Sequence, residues 1–295
     1  MTEEKKLRIG LPKGSLQNAT IEMFRKAGWN VHVDERQYTP HMGDDDLWSV
    51  LLRAQEMPDY VADGVLDCGL TGLDWIKESG VEERVIEVAD LIYAKQGMRP
   101  YRWVLAVDEN SEIQSVADLQ GKRIATELIE VTKRYLAANG VEATVEYSWG
   151  ATEAKCPSLV DAIVEGTETG STLVANNLRE VETLFESTTK FIANKEAWAD
   201  EWKRNKIENI ALMLGGALAA EEYVGLKMNC SGEDLEAVLE KLPSLKNPTI
   251  STLANNGWHA IEVIVHKQTV RVLIPELRSA GAQGLIEYPL NKVII

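Results

Sequence analysis

Eight consecutive residues, from Glu165 to Thr172, combine two glycines, two glutamates and four hydroxyl side chains. They follow an apolar segment, Leu159 to Glu165, that predicts a buried strand, and they precede residues 173–187, whose apolar spacing predicts a helix. Glycines let the backbone approach an anion closely, and the free N–H groups at a helix start carry partial positive charge. This loop therefore suits a phosphate group without any lysine or arginine.

The two carboxylates of the loop suit a different part of a ligand. Glu165 and Glu168 would repel a phosphate, but carboxylates readily accept hydrogen bonds from the vicinal hydroxyls of a ribose. A sugar phosphate would satisfy both halves of the loop. The alternative is a polar connection between strand and helix that carries an ordinary Ser/Thr helix cap.

Short apolar strands alternate with helices along most of the chain. Leu7–Leu11, Val65–Gly72 and Trp103–Val107 are typical of buried strands, and Val31–Val33 predicts a further short one. This alternation indicates an α/β fold with parallel sheets, and two successive sets of about four strand–helix units predict two lobes around a cleft. Ligands of such folds bind at the carboxyl ends of strands, so the loop at residues 165–172 would face the cleft.

The last 80 residues differ from the rest in charge and in the order of their elements. The whole chain carries 46 acidic and 31 basic side chains, a net charge of −15, but residues 216–295 contribute only −2. Their predicted order is strand, helix, two strands, helix, strand, which is the ferredoxin-like βαββαβ unit. The predicted elements are Tyr223–Cys230, Gly232–Leu242, Thr249–Leu253, Trp258–His266, Thr269–Ser279 and Gly284–Tyr288, with a turn at 254–257 between the two middle strands.

Charge and composition exclude several classes of function. A net charge of −15 disfavours nucleic acid and anionic membranes as partners, because both would be repelled at long range. Three widely spaced cysteines are typical of a reducing compartment. The sequence opens without the apolar segment of a signal peptide, and its longest apolar run, residues 210–220, is too short to span a bilayer. We therefore expect a cytoplasmic protein.

Other residues with chemical potential are expected to be structural. The four histidines lack the spacing of metal ligands, and no metal-binding set is predicted from them. The tryptophans at 149, 198, 202 and 258 are predicted to pack in the interior.

Several motifs in the chain resemble those of one known family. Val164 to Leu173 resembles the phosphoribosyl-pyrophosphate loop of phosphoribosyltransferases, in the variant found in ATP phosphoribosyltransferase. Further matching motifs occur in the family's order and together cover nearly the whole chain: Leu11–Leu16, Arg53–Val61, Gly64–Trp75, Arg123–Glu127, Gly150–Lys155, Thr172–Asn176, Leu242–Thr249 and Ala280–Gly284. Ser15 stands where arginine is common in this family, and Glu165 stands where aspartate is common.

The resemblance implies the first reaction of histidine biosynthesis. N1 of the adenine of ATP would attack the anomeric carbon of phosphoribosyl pyrophosphate, and pyrophosphate would leave. Such an oxocarbenium-like reaction needs positioning and charge stabilisation more than a protein nucleophile, and Mg²⁺ carried by the pyrophosphate would supply positive charge.

The resemblance also assigns roles to individual residues. Lys13, Arg53 and Glu165 would be catalytic, the two cations meeting pyrophosphate oxygens and Glu165, with Glu168, contacting ribose hydroxyls. The remaining substrate-binding residues fall into three groups, namely the phosphate loop (Thr167, Thr169, Gly170, Ser171, Thr172), a second turn on the same rim (Thr71, Gly72, Asp74) and a pair facing the nucleotide (Glu153, Lys155). Taken without the resemblance, Lys13 could simply be solvated, Arg53 could be a surface ion-pair partner, and Asp74 could merely cap its helix.

The family's architecture implies a two-lobed, periplasmic-binding-protein-like catalytic core with a C-terminal ferredoxin-like domain. Lobe I would comprise residues 1–98 and 185–218, lobe II residues 99–184, and the regulatory domain residues 219–295. This last domain implies feedback inhibition by histidine, and the residues expected at its allosteric site are Asn229, Thr249, Ser251, Thr252, Leu253 and Ala282. A homo-oligomer, from dimer to hexamer, would then need no separate regulatory subunit.

Two other functions are compatible with the same residues. Two α/β lobes around a cleft also describe a small-ligand binding protein or sensor that performs no turnover. A phosphoribosyltransferase acting on another base would share the phosphate loop. Pyrophosphate release with ATP as the acceptor distinguishes the expected enzyme from both.

Overall fold

A computed structural model describes residues 5–34, 37–93, 101–243, 247–254 and 257–294. The chain divides into two compact units, Met1–Arg25 with Trp29–Ala211, and Lys26–Gly28 with Leu212–Ile295. Three features quoted above lie partly or wholly outside the described residues: the asparagines of the 254–257 turn, the lobe boundary at residues 98 and 99, and part of the motif at 242–249.

The elements from Leu7 to Ala219 lie mostly in the first unit. In chain order they are β1 (Leu7–Lys13), α1 (Gln17–Ala27), β2 (Leu47–Arg53), α2 (Met57–Ala62), β3 (Cys68–Gly72), α3 (Leu73–Ser79), β4 (Val85–Leu91), β5 (Tyr101–Asp108), β6 (Arg123–Thr126), α4 (Ile129–Ala138), β7 (Thr144–Tyr147), β8 (Ala162–Thr167), α5 (Ser171–Ala175), β9 (Leu178–Ser187), β10 (Thr189–Asn194), α6 (Lys195–Ala199) and α7 (Glu201–Ala219). The last residues of α1 and of α7 belong to the second unit. None of the helices in the described residues has the length and apolar character needed to traverse a bilayer.

Two five-stranded sheets of the same topology define two lobes. Lobe I has the strand order β2-β1-β3-β10-β4, and lobe II has the order β7-β6-β8-β5-β9. In each sheet the first three strands are parallel, and the fourth runs antiparallel to both of its neighbours. This is the two-lobed, periplasmic-binding-protein-like architecture that was expected.

The antiparallel strands correct the prediction of parallel sheets. Along the chain, β5 of lobe II follows β4 of lobe I, and β10 of lobe I follows β9 of lobe II. Each is therefore the strand with which the chain enters a sheet from the other lobe. It runs opposite to the strands that are connected through helices, because it enters the sheet at their carboxyl ends.

The helix predicted for residues 173–187 is wrong. The structure has the five-residue helix α5 and then the long edge strand β9. The pairing of β9 with β5 shifts register twice, and these shifts leave Val181 and Leu184 without a partner residue on β5. Such bulges break the alternation of a strand, so apolar residues recur every third position and imitate a helix.

Two smaller differences concern single segments. Among the described residues, Val31–Val33 is not a strand, and His32 forms an isolated bridge with His41. The strand predicted from Leu159 begins at Ala162 instead.

Side chains of α3 join lobe I to lobe II. The two carboxylate oxygens of Glu78 accept hydrogen bonds from the backbone N–H groups of Glu130 and Val131, each at 2.9 Å. These N–H groups lie in the first turn of α4, where no helical carbonyl is available to them. A carboxylate at this position also complements the helix dipole, so one side chain of lobe I caps a helix of lobe II.

The second unit is the expected ferredoxin-like domain. Its elements are β11 (Tyr223–Ser231), α8 (Leu235–Lys241), β12 (Thr249–Thr252), β13 (Trp258–His266), α9 (Lys267–Ser279) and β14 (Gln283–Pro289). The strands form an antiparallel sheet in the order β12-β13-β11-β14. Alternate residues of β11, such as Leu226 and Met228, pack with Val238 of α8 and Leu273 of α9 in one core.

Two facing glycines in lobe I make room for one buried methionine. Gly10 of β1 pairs with Gly69 of β3, and the fully buried side chain of Met57 lies against both. A Cβ atom on Gly69 would lie 2.6 Å from the Met57 sulfur. The backbone at Gly69 does not need the left-handed region, so the requirement for glycine here is one of space.

We expect Gly69→Ala to destabilise the protein by about 1–3 kcal/mol, because the added methyl group overpacks a closed core. Urea unfolding followed by circular dichroism measures the loss. Gly215→Ala is the matched control: it lies within α7 with open space around its Cβ among the described residues, and it should leave stability unchanged or raise it by about 0.5–1 kcal/mol. Equal unfolding midpoints for the two variants would contradict the packing described.

Candidate active site

A cavity of about 360 Å³ opens between lobe I and lobe II. Lobe I contributes the ends of its parallel strands, and lobe II contributes the ends of β6 and β8 with the start of β5. Six of the predicted site residues line it, namely Lys13, Arg53, Gly72, Asp74, Glu165 and Glu168. The tertiary structure thus brings together residues that are up to 155 positions apart in the sequence.

Two cations stand side by side on the lobe I wall. Lys13 and Arg53 are the last residues of β1 and β2, and they are partners in the parallel register. The ammonium of Lys13 lies 3.9 Å from the ring centroid of Tyr38, a cation–π contact that holds it in place. Both cations therefore point from the carboxyl ends of neighbouring strands, where an anionic ligand of an α/β fold binds.

Asp74 is a buried carboxyl that connects the two lobes. Its Oδ2 accepts a hydrogen bond from Trp103 Nε1 at 2.9 Å, and its Oδ1 accepts one from the backbone N–H of Trp75 at 3.0 Å. Its own N–H donates to Ser187 Oγ at 3.1 Å. Burial raises the pKa of Asp74, and the hydrogen bonds from Trp103 and Ser187 oppose that rise. The residue thus holds β5 and β9 of lobe II in addition to starting α3.

The carboxylates on the lobe II wall are also shifted toward their neutral forms. Burial raises the pKa of Glu165, while hydrogen bonds with Thr152 and with the Gly166 N–H oppose the rise. Burial also raises the pKa of Glu127. The neighbouring Asp74 raises this pKa further, and Arg53 lowers it. Both carboxyls therefore bind a proton more readily than they would in water.

The phosphate-loop candidates lie on the lobe II side, outside the lining of the cavity. Thr169, Ser171 and Thr172 are exposed, and the hydroxyls of Thr169 and Ser171 are 3.0 Å apart. Gly170 takes the left-handed conformation, and its N–H donates to Thr167 Oγ1 at 2.8 Å. The buried Thr167 hydroxyl therefore shapes the loop. The exposed hydroxyls are available to a ligand.

The helix after this loop is too short to contribute the dipole that the sequence led us to expect at the phosphate loop. α5 has only five residues, so its dipole is much smaller than that of the long helix that was predicted. Its N-cap residue, Gly170, has no side chain to cap it, and the Ser171 N–H donates to Thr169 Oγ1 at 3.4 Å. An anion bound here would be held by individual N–H groups and hydroxyls rather than by a helix dipole.

Besides the five phosphate-loop residues, three more predicted residues lie outside the lining of the cavity. The Thr71 hydroxyl donates to the carbonyl of Ala54 at 2.7 Å, so it positions the loop that follows Arg53. Glu153 and Lys155 belong to a 3-10 helix, Thr152–Lys155, and Lys155 Nζ donates to Ser148 Oγ at 2.6 Å.

Sequence reasoning missed several residues of the cavity. Tyr101 and Trp103 line it from the start of β5, with their rings in edge-to-face contact. The Tyr101 ring lies directly over Gly166, whose missing side chain makes room for it. Burial, together with nearby carboxylates led by Glu165, raises the pKa of Tyr101, which keeps its hydroxyl a donor. Glu127 directly follows β6, a parallel strand, and its position at the carboxyl end of that strand could have identified it from the sequence.

The residues predicted for an allosteric site fall into separate groups. Asn229, Thr249 and Ser251 line a cavity of about 280 Å³ on the face of the second unit's sheet that is opposite to α8 and α9. Thr252 is in register with His259 and Cys230 and thus belongs to the helix-covered face. Ala282 is buried in the core between sheet and helices, and Leu253 follows the end of β12.

The described residues contain no group of three or more histidine, cysteine, aspartate or glutamate side chains that could hold a metal ion. The carboxylates around the cavity are therefore spread along its walls and do not form a coordination site of their own.

Carboxylates suited to a ribose, beside an exposed loop of hydroxyls and on a two-lobed α/β fold, define the class of phosphoribosyltransferases. A family model described as ATP phosphoribosyltransferase matches residues 53–216, and a second, for the C-terminal domain of the same family, matches residues 220–292. The chain belongs to the ATP phosphoribosyltransferase family and is a phosphoribosyltransferase.

Relatives named ATP phosphoribosyltransferase match along the whole chain. One from Thermodesulfovibrio yellowstonii is 58% identical over 292 residues, covering 99% of this chain and 99% of the relative. One from Desulforudis audaxviator is 60% identical over 289 residues, covering 98% and 99%. This assignment favours an enzyme over a binding protein without turnover.

A solved structure, the ATP phosphoribosyl transferase (HisG:HisZ) complex from Thermotoga maritima, contains a chain of similar fold. Its TM-score is 0.61 at 25% sequence identity, and the match covers 70% of this chain and 98% of that one. The similarity supports the fold of the part of this chain that it covers.

Asp74→Asn should change how stability depends on pH. The folded state raises the pKa of Asp74 above its ordinary value of 3.8, so its contribution to stability is complete below that value and is lost as pH rises through the folded pKa. Asparagine does not titrate. We therefore expect the stability difference, measured by thermal unfolding, to shift in favour of the variant as pH rises from 3.8 through the raised folded-state pKa. A pH-independent difference would show that this carboxyl titrates as a free one.

Proposed function

We propose that this enzyme transfers the phosphoribosyl group of phosphoribosyl pyrophosphate to N1 of the adenine of ATP and releases pyrophosphate, the first step of histidine biosynthesis. One observation carries the assignment of the site: a single cavity sets Lys13 and Arg53 on one wall and Glu165 and Glu168 on the other. Opposite walls of this kind suit a ligand with an anionic leaving group at one end and ribose hydroxyls at the other.

The loop and the carboxylates hold the donor substrate. Glu165 and Glu168 accept hydrogen bonds from the ribose hydroxyls, and the exposed groups of Thr169, Ser171 and Thr172 bind the 5′-phosphate. The hydrogen bond between Gly170 and Thr167 gives the loop its shape before the ligand arrives. A preformed loop lowers the cost of ordering on binding.

The two cations act on the leaving group. As the bond to pyrophosphate breaks, negative charge grows on its oxygens, and positive charge grows on the anomeric carbon. Lys13 and Arg53 stabilise the negative charge on the pyrophosphate oxygens, and the carboxylates on the opposite wall stabilise the positive charge on the anomeric carbon. Asp74 acts as a positioning residue, because its contacts with Trp103 and Ser187 set the separation of the two walls.

Mg²⁺ enters this scheme as part of the substrate. Pyrophosphate oxygens are hard ligands that Mg²⁺ prefers, and Mg²⁺ retains water and substrate ligands rather than requiring a protein cage. The absence of a three-ligand cluster among the described residues is compatible with a metal that arrives with the phosphates. Bound in this way, it would reduce the charge that the acidic cavity meets.

Turnover is the decisive test of this function. With phosphoribosyl pyrophosphate and Mg²⁺ present, we expect pyrophosphate release and phosphoribosyl-ATP formation with ATP, but none with orotate or hypoxanthine. Thr169→Ala should raise KM for phosphoribosyl pyrophosphate by about tenfold, the effect of losing one hydrogen bond to a charged group, and should leave histidine binding unchanged.

Two results would count against the proposal in different ways. Binding of ATP without pyrophosphate release would contradict the activity. A Thr169→Ala variant with the wild-type KM would retain the activity and contradict only the role of the loop.

Regulation by histidine is assigned to the second unit. The cavity on the sheet face opposite to α8 and α9, lined by Asn229, Thr249 and Ser251, offers an amide and hydroxyls together with the carboxylate of Glu262. Such groups suit the carboxylate and ammonium of an amino acid. Inhibition would then act as a shift between states of the assembly and not as competition at the catalytic cavity.

We further propose a homo-oligomer, from dimer to hexamer, that carries its own regulatory domain. The solved Thermotoga maritima enzyme is a complex of two kinds of chain, HisG and HisZ. The match to the family's C-terminal domain at residues 220–292 supports a chain that needs no separate regulatory subunit. Three buried cysteines without disulfides support a reducing location such as the cytoplasm.

Asn229→Ala should weaken inhibition by histidine. We expect the concentration that gives half-inhibition to rise by about tenfold, because a buried hydrogen bond to a charged ligand is lost. Thr252→Ala is the matched control, since Thr252 belongs to the other face of the same sheet. If the Thr252 variant loses inhibition and the Asn229 variant keeps it, the site lies on the helix-covered face instead.

A further inference from the structure

Trp149 is exposed in a way that packing does not explain. Its side chain is 90% exposed, although the sequence predicted a packing residue. Its ring lies edge-to-face on that of Tyr147, with centroids 4.7 Å apart, and Tyr147 is itself 48% exposed. Two large aromatic rings left together in water contribute little to folding, and such pairs are typical of ligand-binding surfaces.

The loop that displays Trp149 is held firmly from its buried side. Ser148 and Thr152, both nearly inaccessible to solvent, join their hydroxyls at 2.8 Å, and Lys155 Nζ donates to Ser148 Oγ. Thr152 also shares a hydrogen bond with Glu165, which lines the cavity. The ring is thus carried on a rigid support that is bonded to the candidate active site.

The aromatic pair stands at the rim of the cavity. Tyr147, the last residue of β7, is in register with Thr126, the last residue of β6, and the next residue, Glu127, lines the cavity. Adjacent strands lie about 4.8 Å apart, so Tyr147 and Glu127 are close neighbours. Trp149 follows two residues beyond Tyr147 in the chain and lies outside the lining of the cavity.

The candidate site extends beyond the cavity itself. The cavity volume of about 360 Å³ is near the lower end of the range, roughly 300–1,000 Å³, that single small-molecule ligands occupy. The hydroxyls of Thr169, Ser171 and Thr172 lie outside its lining. We therefore expect substrate contacts on the surface beside the opening as well.

The charge around Tyr147 indicates which part of a substrate this aromatic pair would contact. Burial raises the pKa of Tyr147, and the nearby carboxylates of Glu127 and Glu78 add to the rise. This negative surrounding disfavours a phosphate. It accepts a neutral heteroaromatic ring, whose faces stack on aromatic side chains.

We propose that Trp149 and Tyr147 form a stacking platform for the adenine ring of ATP at the rim of the cavity. This inference rests on the proposed function, since it takes ATP as the acceptor substrate. Stacking would present the purine to the cavity in one orientation while the ribose and phosphates extend along the cleft. The conformational constraint matters because the reaction needs N1 aimed at one carbon atom.

The test compares the wild-type enzyme with Trp149→Ala and Trp149→Phe in steady-state assays. We expect Trp149→Ala to raise KM for ATP by about tenfold or more, the loss typical of one stacked base, with KM for phosphoribosyl pyrophosphate within about twofold of the wild type. Trp149→Phe retains an aromatic face and should recover most of the affinity. Thermal unfolding checks that all variants are folded.

Direct binding gives a second measurement that is independent of turnover. ATP should quench tryptophan fluorescence in the wild type, and Trp149→Phe should lose the part of the quenching that comes from Trp149, leaving only the part that comes from Trp75 and Trp103 in the cavity lining. Trp48→Phe is the matched control, because Trp48 is also exposed, at 42%, but lies on β2 away from the cavity lining. It should quench as the wild type does.

The outcomes separate this inference from the proposed function. An unchanged KM for ATP in Trp149→Ala, in an enzyme that turns over normally, would overturn the platform alone. An unchanged KM together with an altered mass in sedimentation would assign the aromatic pair to contact with a second copy and also overturn it. If the wild type binds ATP with Trp149-dependent quenching but releases no pyrophosphate, the proposed function fails and the platform stands.

Discussion

The joint made by α3 is the constraint on which the catalytic unit depends. Asp74, at its start, holds Trp103 and Ser187 of lobe II, and Glu78, near its end, caps α4. Lys13 and Arg53 belong to lobe I, whereas Glu165 belongs to lobe II. Because opposite charges on two separate sheets are useful only at a defined distance, these few hydrogen bonds set the dimensions of the cavity.

The acidity of the chain takes on a different meaning in this setting. A net charge of −15 is unfavourable for phosphorylated substrates at long range. Inside the cavity, burial raises the pKa values of Asp74, Glu127 and Glu165, so these carboxyls hold protons more readily than they would in water. Two adjacent cations and a loop of hydroxyls face the ligand where contact is made, and their attraction opposes the long-range repulsion.

Burial and exposure divide the connection after β7 into two halves with different roles. Ser148 and Thr152 face inward and join a hydroxyl network that reaches Glu165, whereas Trp149 faces outward. Each hydroxyl has a partner, so the network is rigid and carries no penalty for an unpaired buried polar group. A substitution at Ser148 or Thr152 would therefore alter the positions of both the Glu165 carboxylate and the Trp149 ring.

The sequence by itself determined the class of fold and the ferredoxin-like unit, because local periodicity and short motifs carry that information. It misjudged β9, since two bulges gave a strand the spacing of a helix. It also assigned Trp149 to the interior, because residue type predicts burial only on average. Only the tertiary structure decided which side chains meet in the cavity. Tyr101 over Gly166 and Asp74 between two lobes are contacts between distant segments, and nothing in local sequence specifies them.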